Sequence, residues 1–143
     1  MPCQNPFRLP DHLDLNLRGI ISLWRGLKRA ENSMPFADDL ELSALSDLPV
    51  KPFLLSAFAT PERFRFEFLS EGLRAAAVTG SFIDETSPDN HFCYLRAQAS
   101  ATIEAAEPTF LHLADVSGQA FSRVLLPMWG NGAINALLGA IDG

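Results

Sequence analysis

The side chains with chemistry to offer are few and scattered. His91, Cys93 and Arg96 put an imidazole, a thiol and a guanidinium within one short stretch. A lone histidine there has no second ligand at metal spacing, so a solvated or capping role is a simpler account of it than ligation. Asp84, Glu85, Asp89 and His91 make an oxygen-rich set, yet the spacing fits neither a calcium loop nor a paired-histidine motif, and no metal site is expected. His112 alternates with Phe110 and Ala114, as a hydrogen-bonded core histidine or as a polar group facing a pocket; Asn135 carries the same two readings. Gly130-Asn131-Gly132-Ala133-Ile134-Asn135 begins like a dinucleotide fingerprint. It lacks the third glycine and falls between two strand-like runs, so it reads as a hairpin turn. With no GxSxG elbow, no phosphate loop and no ordered Ser, His and acid set, no catalytic residue is assigned. The chain reads as a non-enzyme.

These residues must be positioned by regular elements, and periodicity shows which. Apolar runs at 109–116, 119–129 and 133–141, separated by Val116-Ser117-Gly118 and Gly130-Asn131-Gly132, predict an antiparallel meander. Runs at 52–59 and 63–69 flank Thr60-Pro61-Glu62 and predict a strand pair. In the second of these, Phe64, Phe66 and Phe68 alternate with Arg63, Arg65 and Glu67, which aims three rings at a core and three charges away from it. Leu13, Leu17, Ile20, Ile21, Trp24 and Leu27 recur at three- and four-residue spacing and predict a helix over 11–30. Asp11 and Asp14 near its start and Arg25, Lys28 and Arg29 near its end suit the helix dipole. Its stripe must cover the chain's own sheet, a second subunit, or both; the small Gly19 and Gly26 would permit close backbone approach. Asp38-Asp39 before Leu40, Leu42, Leu45 and Leu48 predicts a short capped helix closed by Pro49, and 72–78 one or two helical turns. Ser87-Pro88-Asp89-Asn90 reads as the start of a helix running to 106, with Phe92, Leu95, Ala99 and Ile103 inward.

The totals bound the class. A chain of 143 residues with 48% hydrophobic and 20% charged residues is expected to form one globular domain over 11–143 behind an irregular lead-in at 1–10. Net charge is −6, with Arg8, Arg18, Arg25, Lys28 and Arg29 set against Asp11 and Asp14 in the first thirty residues. The remainder is strongly acidic, which opposes nucleic-acid binding. Cys3 and Cys93 are too few and too isolated for a disulfide framework or a CxxC site. No apolar run approaches membrane length, so no membrane partner and a cytoplasmic location are expected.

In this order, the motifs resemble a bacterial family of stand-alone PAS-like proteins. Trp24-Arg25-Gly26-Leu27 followed by Met34-Pro35-Phe36-Ala37-Asp38-Asp39-Leu40, then Phe53-Leu54-Leu55, Arg63-Phe64-Arg65-Phe66, Thr79-Gly80, Val124-Leu125-Leu126-Pro127-Met128 and Leu137-Leu138-Gly139-Ala140, are similar to that family's successive motifs. Glu67-Phe68-Leu69-Ser70-Glu71-Gly72 departs from its usual continuation of the second strand. The resemblance implies an α+β fold: a PAS-like five-stranded antiparallel sheet in the order 2-1-5-4-3, with helices on one face and an N-terminal amphipathic helix. It implies a pocket between the sheet and the helix of residues 89–106, with Phe66, Phe68, His91, Phe92, Arg96, His112 and Asn135 as candidate lining. It also implies a homodimer packed through Leu17, Ile20, Ile21, Trp24 and Leu27. Some PAS sensors hold haem through a histidine, but His91 stands alone, and Cys93-Tyr94-Leu95-Arg96 lacks the context of the flavin-binding cysteine; neither cofactor is expected.

The function so implied is a sensory or regulatory module in signal transduction that binds a small ligand or a partner signalling protein and signals through protein contacts. Two alternatives stand beside it. A small, cone-shaped, cavity-bearing α+β enzyme would bring His112 or His91 to Asp84, Asp115 or Glu67 inside a pocket. A ligand-free interaction scaffold would fill that pocket with rings, for which eleven phenylalanines supply the material.

Overall fold

The computed structural model describes residues 15–28, 34–59, 62–73, 79–85, 92, 94–114, 120–130 and 132–142. The lead-in at 1–10, Asp11 and Asp14, the Ser87-Pro88-Asp89-Asn90 start, His91, Cys93, Asp115 and the turn at 116–118 lie outside the described residues.

Strands β1 (Lys51–Ala59), β2 (Glu62–Leu69), β3 (Thr109–Ala114), β4 (Ala120–Gly130) and β5 (Ala133–Asp142) form one sheet in the order β2-β1-β5-β4-β3, every neighbouring pair antiparallel. The last strand is therefore central and joins the first hairpin to the meander. Helix α1 (Leu15–Gly26) covers one face of the sheet and α2 (Leu95–Ala105) the other. Among the described residues no helix is long and apolar enough to cross a membrane.

Alternation along the strands feeds two cores. Phe53, Leu55, Phe64, Phe66, Leu125, Leu137 and Ile141 pack towards α2, while Val124, Leu126, Met128, Leu138 and Ala140 pack towards α1. The i, i+3, i+4, i+7 stripe of α1 meets the second set: Leu17, Ile20, Ile21 and Trp24 are all buried there, and Leu27 packs partly against it. Each such side chain, fully buried, contributes about 1.5–3 kcal/mol. The Trp24 indole N–H donates to the Pro127 carbonyl at 2.9 Å. Proline inside β4 is tolerated because this stretch lies past the end of β3. Trp129, two residues on, sends its own N–H away from β5 to the Pro35 carbonyl at 2.8 Å, so the missing N–H of Pro127 removes no ladder bond.

Four expectations change. The stretch 38–48 is two 3-10 turns, Ala37–Asp39 and Leu42–Leu45, because Leu40 and Glu41 between them take extended backbone; neither turn has a side-chain cap. The expected turns at 72–78 appear as a 3-10 turn at Glu71–Leu73, with 74–78 outside the described residues. The helix expected from 87 to 106 cannot run unbroken, since Tyr94 sits in the left-handed region at φ 59 and α2 begins after it. Finally, period two fails in β2. Phe66 pairs with Leu55 but Phe68 pairs with Leu54, so Glu67 is an extra residue and the strand is bulged.

Candidate functional site

A groove of about 160 Å³ opens beside the start of α2, lined by Phe66, Ile83, Asp84, Phe92, Tyr94, Leu95 and Arg96. Its floor is aromatic. Phe92 lies between Phe66, at 5.0 Å between ring centroids, and Phe53, at 5.6 Å and edge-on. Phe53 is fixed from below by Gly139, its cross-strand partner, where a Cβ would collide with the ring.

One wall is a strap that runs along the outer edge of β2. The Phe66 N–H donates to the Ser81 carbonyl at 2.9 Å, and the Gly80 N–H donates back to the Phe66 carbonyl at 2.6 Å. Gly80 reaches this position at φ 94, a conformation open to glycine. Phe82 then stacks under the Arg63 guanidinium at 3.6 Å, and Arg63 also holds the Asp84 carboxylate at 3.1 Å. The hydrogen bond and charge of Arg63, with a smaller contribution from Arg96, hold the Asp84 carboxyl below its ordinary value against the opposing effect of desolvation.

Further along the α2 face, α2 is tied to β3 and β4 by a buried polar network. Arg123, fully buried, donates from Nε to Gln98 Oε1 at 2.7 Å; Gln98 Nε2 donates to Thr109 Oγ1 at 3.2 Å and to the Arg123 carbonyl at 3.3 Å. The Thr102 and Thr109 hydroxyls meet at 2.6 Å. Nearer β2, Ser100 donates to Glu62.

Of the expected pocket residues, the structure brings Phe66, Phe92 and Arg96 together in the groove. Phe68 is carried by the bulge to the α1 core instead. His112 is exposed on the edge strand, across from Ser122, with Nδ1 2.9 Å from its hydroxyl; it shares the α1 face with Phe110 and faces no pocket on the α2 side. Asn135 is the extra residue of a bulge in β5, its amide folded over Gly130 and its Oδ1 without a hydrogen bond; it is not among the groove residues. The dimer stripe Leu17, Ile20, Ile21 and Trp24 is spent on the chain's own sheet, so pairing through it requires α1 to leave that sheet. His112 and Asp84 each have another partner, Ser122 and Arg63, and no group of three or more metal-ligating side chains occurs among the described residues.

Ile83, Tyr94 and Leu95 were not foreseen as lining, nor was the buried network. Arg123 inside the apolar run 121–128 and the i, i+4 pair Gln98 and Thr102 were its readable signals.

Strand order 2-1-5-4-3 with α2 across one face is the arrangement that the family resemblance implies, and the structure adds that the N-terminal helix covers the other. The fold is PAS-like. No family model and no curated protein matches the sequence. Among solved structures the chain is similar to a sensory box sensor histidine kinase from Vibrio cholerae, at TM-score 0.45 and 11% identity over 87% of this chain and 95% of that one. It is also similar to an RNA-binding Light-Oxygen-Voltage receptor, at TM-score 0.42 and 16% identity over 81% of this chain, which spans 36% of that receptor chain.

Proposed function

We propose that this chain is a sensory or regulatory module of PAS type, with the groove at the start of α2 as the place where a small ligand binds and with protein contacts as its output. The observation that carries this reading is a recess with an aromatic floor and charged rim, lined by Phe66, Phe92, Tyr94, Arg96 and Asp84, beside the packed core between the sheet and α2. Apolar walls with a few convergent polar groups are what small-molecule sites share. No catalytic residue is assigned. A second reading, an interaction scaffold without a ligand, draws on the packing of Phe53, Phe66 and Phe92 against one another.

Absorbance and native mass of the freshly purified chain separate the two. A bound species that disappears in Ile83→Trp, which fills the groove, supports the ligand reading. A chain at its bare mass, with no thermal stabilisation by any small molecule of a diverse set, overturns it in favour of the scaffold.

A further inference from the structure

The groove's size and charge narrow what it would hold. At about 160 Å³ it matches the roughly 150 Å³ engineered cavity, lined by leucine, isoleucine and phenylalanine, that takes up one benzene. Its walls are of the same kind: Phe66 and Phe92 below, Ile83 and Leu95 at the sides. The Tyr94 ring, 67% exposed at the mouth, is placed to cover an occupant's edge.

Charge at the rim is asymmetric. Asp84 is engaged by Arg63 at 3.1 Å through one carboxylate oxygen, and among the described groove residues the exposed guanidinium of Arg96 is the cationic group. The first turn of α2 lies beside it without a side-chain cap, and the partial positive charge of that helix end has the same sign.

Resting on the ligand-binding reading of this groove, we propose that its occupant is a free small molecule with one six-membered aromatic ring and one carboxylate. The ring lies against Phe66, Phe92, Ile83 and Leu95, and the carboxylate lies on Arg96. Arginine suits the task because its planar fork matches a carboxylate in two parallel hydrogen bonds.

The test titrates the isotopically labelled full chain with benzoate, benzyl alcohol, benzylamine and acetate, following backbone amide shifts. Benzoate is expected to move Ile83, Asp84, Leu95 and Arg96 and to saturate, acetate to leave them unmoved, and benzylamine to bind more weakly than benzyl alcohol. Arg96→Gln is expected to weaken benzoate about fivefold, the size of a partly exposed ion pair, without changing benzyl alcohol, and Arg96→Lys to recover part of that loss. Equal binding of benzoate, benzyl alcohol and benzylamine at these residues, or an Arg96→Gln variant that keeps full benzoate affinity, overturns the anionic class while the groove remains a binding site. No response at these residues to any probe overturns both readings.

Discussion

Gly139→Ala tests whether the aromatic column beneath the groove is packed as tightly as the structure shows. A Cβ at 139 would lie 2.6 Å from both Cε atoms of Phe53 and closer still to Cζ. Ordinary contact begins near 3.4 Å, so the ring must retreat by about 1 Å. It has nowhere easy to go: Phe53 is fully buried, with the Phe92 ring set perpendicular against it and Phe92 in turn against Phe66. Overpacking of this kind costs about 1–3 kcal/mol. Alanine returns about 0.4–1 kcal/mol by restricting the unfolded chain. The expected net loss is about 1–2 kcal/mol, a fall in Tm of about 3–8 °C. Urea unfolding followed by circular dichroism measures it, with an unchanged m-value as the sign that only native packing was altered. The decisive variant is the double mutant. In a Phe53→Leu background the same Gly139→Ala change should be nearly neutral, giving a coupling of about 1 kcal/mol or more. Equal losses in both backgrounds would show that the ring does not rest on the glycine, and the account of the groove floor would fail with it.

Trp24→Phe removes the indole donor and strands the buried Pro127 carbonyl, which should cost about 1–3 kcal/mol by chemical denaturation, more than Leu23→Ala on the same helix, whose side chain is only partly buried. Gln98→Ala takes away the oxygen to which Arg123 Nε donates; a buried charged donor losing its acceptor should cost about 3 kcal/mol, and Gln98→Glu should not reproduce that loss. Asp84 has a folded pKa depressed below its ordinary 3.8, chiefly by Arg63. Its contribution to stability is thus complete above 3.8 and is lost as pH falls through the lower folded value. Arg63→Gln should return the Asp84 titration, read from its side-chain carbonyl signal, towards the ordinary value.

The sheet was legible because its signals are local. Phe64 and Phe66 alternate with arginines, glycines mark the turn at 130–132, and Leu17 to Trp24 keep helical spacing. The site was harder to read, for reasons that are physical. A bulge is a property of two strands in register, so nothing in Glu67-Phe68-Leu69 alone announces that Phe68 will change faces. It falls within the stretch that departs from the resembled family's second strand. Tyr94 in a left-handed conformation carries no mark in an aromatic residue type, so the sequence does not show that α2 begins only after it. His112 alternated correctly with Phe110, yet strand period cannot say that the face they share belongs to α1 or that the strand is an edge. Arg123, by contrast, was an anomaly in plain view: a guanidinium amid valine, leucine and methionine, whose burial only a partner such as Gln98 makes tolerable.

The strap along β2 also occupies backbone groups that an added strand would need. By bonding to the backbone of Phe66 it blunts one border of the sheet, while β3 on the opposite border pairs with β4 alone among the described strands. A sheet with both borders open can extend without limit, as fibres do. Were β3 the single open border, the valence for strand addition would be one, and pairing β3 with β3 about a two-fold axis would close on itself at two copies. Releasing Gly80 and Ser81 from β2 would free the backbone of Phe66 and raise that valence to two.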